Sequence, residues 1–167
     1  MYAKKLKEKI ASNRTIVYID ETTFNSTLRQ SRVWQFYKKP VPFAVGKRIG
    51  SITLYGAIGH CLKEPVFMLG KSTNKEEFQT FIEKVVAAKV NPRQKPLLVI
   101  DNHAAHKSTA VKQLLQKHFV VFYMPAQSCE FNSIEHLWAD IKRRFRQSLA
   151  EKPFAYQTQD RVTALVQ

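Results

Sequence analysis

The sequence predicts one α/β domain, spanning residues 1–167, with a mixed five-stranded sheet: three antiparallel strands, then two parallel ones, flanked by helices. Two kinds of segment support this prediction. Runs of β-branched and aromatic residues bounded by turn signals fill the first third of the chain. Two short apolar runs follow later, each preceded by a stretch of helical periodicity. A length of 167 residues, of which 44% are hydrophobic, suits a single globular domain.

The first half of the chain reads as strands joined by basic loops. A charged lead-in helix is predicted over residues 1–12. Strands are predicted at 15–19, 33–37 and 51–58, and the short links between them indicate an antiparallel meander. Residues 66–69 are predicted to form a further short extended segment.

In the second half, helices and strands alternate. The predicted order is a helix at 72–86, a strand at 97–100, a helix at 104–117, a strand at 119–123, a long helix from Ser133 to Pro153 and a final helix at 154–166. Crossover helices place the last two strands parallel to the first. This is the order of a ribonuclease-H-like fold, in which the first and fourth strands lie side by side.

The net charge is the most informative bulk property. The chain carries 27 Lys and Arg against 13 Asp and Glu, a formal net charge of +14. A domain this basic is expected to attract polyanions, above all nucleic acid, although a solvated basic surface without a partner is the alternative. No run of about 18 apolar residues indicates a membrane span. Cys61 and Cys129 are too few for a disulfide framework, which favours a reducing compartment.

Two acids follow buried strands. Asp20 comes directly after strand 15–19, and Asp101 follows Leu97–Ile100. Functional groups in such sheets gather at the carboxyl ends of strands, so the two carboxylates are expected to be neighbours. Paired carboxylates repel unless a cation lies between them, and Mg²⁺ suits hard oxygen ligands. The alternative for Asp101, or for Asn102, is a cap on the next helix.

A third acid is expected from the long helix. Glu135 follows the apolar position Ile134, and this places it at the border of the helix's buried face. The competing interpretation is a capping box, since Asn132-x-x-Glu135 has the required spacing. Helix chemistry alone favours the capping box.

These segments together carry a family resemblance. Asp20-Glu-Thr, the Trp34 strand, Asp101-Asn-His-Ala-Ala-His-Lys-Ser108 and Pro125-Ala-Gln-Ser-Cys-Glu-Phe-Asn-Ser-Ile-Glu-His-Leu-Trp138 resemble the catalytic domain of mariner-type transposases and their bacterial insertion-sequence relatives. These proteins belong to the Asp-Asp-Glu group of transposases and integrases. Residues 102 to 134, 33 in all, separate the last two acids, a gap typical of the group.

The resemblance implies metal-dependent DNA strand cleavage followed by strand transfer from a 3′-hydroxyl. Asp20, Asp101 and Glu135 would be the catalytic residues and the ligands of two Mg²⁺ or Mn²⁺ ions. The implied partners are double-stranded transposon ends and target DNA, a second copy in a homodimer, and no membrane. Two alternatives stay open: another ribonuclease-H-like nuclease, such as a junction-resolving enzyme, and a non-catalytic DNA-binding relic.

The sequence departs from the family pattern at several places. Cys129 and Ser133 stand where prolines are expected, and Phe131 replaces Leu. The family's N-terminal helix-turn-helix region is expected to be absent, because about 14 residues precede the first strand. A separate DNA-recognition module would then be needed. The expected location is the nucleus in a eukaryote, or the cytoplasm and nucleoid in a bacterium.

Further residues have weaker predicted roles. Three are expected to support the metal ligands, with helix-start structure as the alternative: Asn102, His106 and Asn132. Five are expected to bind DNA, with a solvated basic surface as the alternative: Lys47, Arg48, Lys142, Arg143 and Arg146. A zinc site at His103 and His106 is disfavoured, because no thiolate completes the set.

Overall fold

A computed structural model describes residues 15–25, 51–125, 128, 131–151 and 158–167, together with residues 4, 7, 8 and 11. Those four N-terminal residues are helical and exposed, as the predicted lead-in helix requires. Three predicted features lie outside the described residues: the strand at 33–37 with Trp34, the basic loop with Lys47 and Arg48, and the departure at Cys129.

Five strands form one sheet. They are β1 (Ile16–Asn25), β2 (Ser51–Gly59), β3 (Val66–Gly70), β4 (Leu97–Ile100) and β5 (Val120–Tyr123). Their spatial order is β3-β2-β1-β4-β5. β1 and β3 pair antiparallel with β2, whereas β4 pairs parallel with β1 and with β5. The predicted mixed sheet is confirmed, with the short segment near residue 66 as its third antiparallel strand.

β1 is longer than predicted. The sequence places its end at Asp20, but the strand continues to Asn25 because β2 pairs with it along nine residues, from Val17↔Gly59 to Asn25↔Ser51. The parallel ladder with β4 is much shorter and runs only from Ile16↔Leu97 to Tyr18↔Val99. Asp20 therefore lies inside a strand, just beyond the last residue that β4 pairs with.

Four helices are described, α1 (Lys75–Ala87), α2 (Thr109–His118), α3 (Ile134–Glu151) and α4 (Thr158–Val166). The helix predicted at 104–117 is divided into a 3₁₀ turn over Ala104–Lys107 and α2. Ser108 causes the division, since its backbone is extended and its side chain accepts a hydrogen bond from the Val111 N–H. Among the described residues, no helix has the length and apolar character needed to cross a bilayer.

The helices cover both faces of the sheet. α1 and α2 pack on one face, against a core that includes Val17, Ile19, Leu98 and Ile100. α3 and α4 pack on the other face, where Phe24 and Leu54 meet Ile134, Trp138 and Ile141. Because side chains alternate along a strand and Ile19 faces α1 and α2, the next residue, Asp20, faces α3.

Candidate active site

The register of β1 and β4 aligns two aspartates. Ile16 pairs with Leu97, Val17 with Leu98 and Tyr18 with Val99. Continuing the same register by two residues brings Asp20 level with Asp101, which follows the last residue of β4.

Asp20 lies against the buried indole of Trp138. The Trp138 Nε1–H donates a hydrogen bond to Asp20 Oδ2 over 3.0 Å. Burial, followed by the neighbouring charges of Glu21 and Glu135, raises the pKa of Asp20 to about 7, although the indole hydrogen bond opposes the shift. A carboxylate in these surroundings is stabilised in its charged form by a cation.

The start of α3 is tied to β1 by Asn132. Its side chain is almost fully buried, and Nδ2 donates to the backbone oxygen of Ile19 over 3.2 Å. The Glu135 N–H binds the backbone oxygen of Asn132, not its side chain. The capping-box interpretation is therefore wrong for Asn132, because its Oδ1 accepts no hydrogen bond from the helix. Its Nδ2 instead docks α3 on the strand that carries Asp20.

Glu135 lies in the first turn of α3 and is half-buried. Its charge contributes to the raised pKa of Asp20, so the two carboxylates are within electrostatic range. The docking of α3 thus places a second acid beside Asp20 on the same face of the sheet.

Asp101 has a different environment. Its Oδ1 accepts the backbone N–H of His103 over 2.9 Å and lies 2.7 Å from His106 Nδ1. Burial raises the pKa of Asp101, but the close approach of His106 and the hydrogen bond from the His103 N–H outweigh it and hold that pKa below its usual range. The helix-start role considered for Asp101 thus uses only Oδ1. No described residue donates a hydrogen bond to Oδ2.

His106 joins Asp101 to a third carboxylate. Its ring is fully buried, its Nε2 lies 3.2 Å from Glu21 Oε1, and neither ring N–H is aimed straight at its carboxylate. Burial lowers the pKa of His106, but Asp101 and Glu21 outweigh it and raise that pKa to about 9. The ring also packs on Phe78 of α1, with centroids 4.1 Å apart. His106 therefore acts as a buried cation between two acids.

Residues 15–153 match the DDE superfamily endonuclease family. The chain belongs to this family. No curated protein matches the sequence significantly.

Solved structures of similar fold agree with this assignment. The Mos1 strand transfer complex is 17% identical with a TM-score of 0.65, over 97% of this chain and 53% of that one. The Mos1 mariner paired-end complex with Mn is 16% identical with a TM-score of 0.65, over 98% and 56%. The HTLV-2 integrase catalytic core with magnesium is 12% identical with a TM-score of 0.57, over 92% and 83%. The fold is ribonuclease-H-like, and the chain spans about half the length of the Mos1 chains.

The donor atoms of this DDE endonuclease domain suit a divalent cation. Asp20 and Asp101 each have one oxygen committed, Oδ2 and Oδ1 respectively, and each has a second oxygen that no other described side chain uses. Carboxylate oxygens are the ligands that Mg²⁺ and Mn²⁺ accept. Together with Glu135, these residues supply the oxygen donors that such a cation prefers. Their donor atoms do not all lie within 4.8 Å of one another, so a bound cation would have to draw them together.

A second cluster has ligand spacing but different chemistry. Donor atoms of Glu21, His103 and His106 lie within 4.8 Å of one another. Both nitrogens of His106 already face carboxylates, however, and its pKa of about 9 keeps it protonated at neutral pH. The cluster is better explained by the His106 cation than by a bound metal.

The remaining predicted residues of the endonuclease domain are more scattered. Asn102 Nδ2 donates to the backbone oxygen of Met124 over 2.6 Å and thus joins the ends of β4 and β5. Lys142 is half-buried and Arg146 is exposed on α3. Arg143 pairs with Asp140, so its charge is partly compensated.

Sequence reasoning missed three residues of this site. In the sequence, Trp138 is only the last residue of a motif that resembles the family, and Glu21 is only part of Asp20-Glu-Thr. Gly56 lies inside the strand predicted at 51–58, and a glycine inside a strand signals close approach by another element. The contacts of Trp138 and Glu21 join segments distant in sequence, and no local pattern reveals them.

Proposed function

We propose that this chain is the catalytic domain of a DNA transposase of the mariner and insertion-sequence type. Its reaction would be hydrolytic nicking of DNA, followed by strand transfer from the 3′-hydroxyl so produced. The observation that carries the proposal is the alignment of Asp20 with Asp101 on neighbouring strands, with Glu135 docked on the same face.

Asp20, Asp101 and Glu135 would hold two Mg²⁺ or Mn²⁺ ions. Bound there, the ions would activate the attacking oxygen and stabilise the leaving oxygen of an in-line phosphoryl displacement. The chain's own contribution is to hold the three carboxylates in place. Trp138 and Asn132 act on the side of Asp20, and His106 acts on the side of Asp101. Solved relatives support the choice of metal, since one contains Mn and another magnesium.

DNA is the proposed substrate, and the formal net charge of +14 supports it. Lys142 and Arg146 lie about two and three turns after Glu135 on the same side of α3, where they would contact phosphates. Pairing of two copies on two DNA ends and a separate DNA-recognition module belong to the same proposal. The Mos1 paired-end complex supports the pairing.

Supercoiled plasmid tests the cleavage step. With Mn²⁺, the chain should nick the plasmid, and Asp101→Asn should lower the rate more than about 100-fold, since losing even a residue that supports a ligand costs 10–100-fold. Asp140→Asn is the matched control, because it removes the same charge from an exposed acid of α3 and should leave nicking unchanged. Equal nicking by Asp101→Asn and the wild type would refute the proposed site.

A second assay separates transposase from nuclease. An oligonucleotide duplex with a free 3′-hydroxyl should become joined to the plasmid if the domain transfers strands. Nicking without joining, also when a DNA-recognition module is fused to the chain, would leave a ribonuclease-H-like nuclease as the function.

A further inference from the structure

We propose that Trp138 positions Asp20 for metal binding by holding Oδ2, so that no described side chain occupies Oδ1, and that Gly56 makes this contact possible. The inference rests on the proposed function, since it concerns the same metal site. Trp138 is a positioning residue here, because it contacts the ligand Asp20 and not the metal.

The contact is specific in its chemistry. Trp138 is 1% exposed, and a buried indole N–H needs an acceptor. The acceptor is not a nearby backbone oxygen but a side-chain carboxylate 118 residues earlier in the chain. Trp138 also lies three residues after Glu135, one helical turn along α3. One helix therefore supplies both an acid beside Asp20 and the donor that orients Asp20.

Gly56 provides the space for the indole. It lies directly opposite Asp20 in the β1–β2 ladder. A Cβ at this position would overlap Trp138 Cη2 and would lie 2.8 Å from Cζ2 and 3.1 Å from Ile134 Cδ1. The indole therefore crosses β2 over a position without a side chain to reach β1. On β3, the Phe67 ring packs against it at a centroid distance of 6.3 Å.

A purely structural role for Trp138 makes a different prediction. The ring is one of the largest in the core between the sheet and α3, so any change there lowers stability. A positioning role additionally requires that metal affinity fall more than stability explains. Ile141 is a suitable control, since it lies in the same core, one turn further along α3, and no hydrogen bond joins it to Asp20.

The first test measures Mn²⁺ binding to the whole chain by electron paramagnetic resonance, beside thermal unfolding. Trp138→Phe keeps an aromatic ring and removes the N–H, and should weaken Mn²⁺ binding about 10-fold. Gly56→Ala keeps the N–H but displaces the indole, and should weaken binding in the same direction. Ile141→Val should lose stability and retain the wild-type affinity. Asp20→Asn shows which part of the binding belongs to this site.

The second test is independent of metal. The chain has two tryptophans, so its ¹H–¹⁵N spectrum contains two indole signals, and the Trp138 signal is the one missing in Trp138→Phe. Asp20→Asn should shift that signal, because it replaces the carboxylate acceptor by an amide. This test still decides the question if Gly56→Ala does not fold.

The outcomes separate the two proposals. Wild-type affinity for Mn²⁺ in Trp138→Phe, or an equal loss in Ile141→Val, would overturn the positioning role and leave the proposed function intact. A Trp138 indole signal whose chemical shift is unchanged in Asp20→Asn would also overturn the positioning role. Equal Mn²⁺ affinity in the wild type and in Asp20→Asn would overturn the proposed function, and the positioning role with it.

Discussion

The two aspartates of the site lie at the same level of the sheet, yet their surroundings are opposite. Asp20 is inside a strand, under a buried indole, and burial with two nearby acids raises its pKa to about 7. Asp101 is beyond a strand end, with 45% of its side chain exposed, and His106 and His103 hold its pKa below the usual range. The surroundings of Asp20 therefore disfavour its negative charge, whereas those of Asp101 already compensate the negative charge of Asp101.

The two sides of the site differ in whether the protein itself supplies a positive charge. On the Asp101 side, a buried imidazolium supplies the positive charge, and it also neutralises Glu21 on the α1 face. On the Asp20 side, the described hydrogen-bond donors are neutral: the Trp138 indole N–H and the Glu21 backbone N–H. Glu135 adds a further negative charge to that side. A divalent cation would therefore stabilise the Asp20 side most.

The largest expected effect on stability comes from His106, which compensates the charges of Asp101 and Glu21. His106→Leu removes the cation and leaves Glu21, whose side chain is 11% exposed, without its partner. Breaking a buried pair by removing one member costs about 3–5 kcal/mol, so we expect a loss near 3 kcal/mol in the free energy of unfolding. Urea denaturation in EDTA measures it. His103→Leu is the control, since His103 is exposed and lies outside both ion pairs.

A double variant checks the cause of that loss. Glu21→Gln removes the charge that His106 compensates, so it should recover part of the stability when added to His106→Leu. A loss below about 1 kcal/mol in His106→Leu, or no recovery in the double variant, would contradict the buried ion pairs.

The sequence predicts the sheet well because its signals are local. Apolar runs such as Leu97–Ile100 and the periodic helices between them determine which strands run parallel, and the register then follows. The length of β1 was underestimated, because an acid normally ends a buried run and the pairing with β2 is not visible locally. The capping box failed for a related reason: Asn132 has a tertiary partner, the Ile19 oxygen, that local spacing cannot reveal.

The two sides should also respond to pH in different windows. The pKa of Asp20 is raised from 3.8 to about 7, so between these values the folded state holds a proton that the unfolded state has released. The stability of the metal-free protein should therefore fall as pH rises from about 4 to 7, and Asp20→Asn should remove this fall.

His106 affects stability in a higher pH range than Asp20 does. Its pKa is raised from 6.5 to about 9, so its contribution is complete below pH 6.5 and is lost as pH rises through 9. His106→Leu should flatten the curve in that range alone. Denaturation curves in EDTA across about pH 4–10 give both slopes, and a single fall common to both variants would contradict the assignment.

The smallest expected effect comes from a matched pair of asparagines, one on each side. Asn132 Nδ2 donates to Ile19 O beside Asp20, and Asn102 Nδ2 donates to Met124 O beside Asp101. Asn132 is 2% exposed, so Asn132→Ala leaves a buried carbonyl unpaired and should cost about 1–3 kcal/mol.

Asn102 is exposed, and water can replace its amide, so Asn102→Ala should cost less than about 1 kcal/mol. The two variants delete the same group and differ chiefly in burial, which makes urea denaturation a direct comparison. Because Asn132 also docks the helix that carries Glu135, Asn132→Ala should slow nicking more than Asn102→Ala does. Equal losses of stability and activity in the two variants would mean that the start of α3 does not depend on its tie to β1.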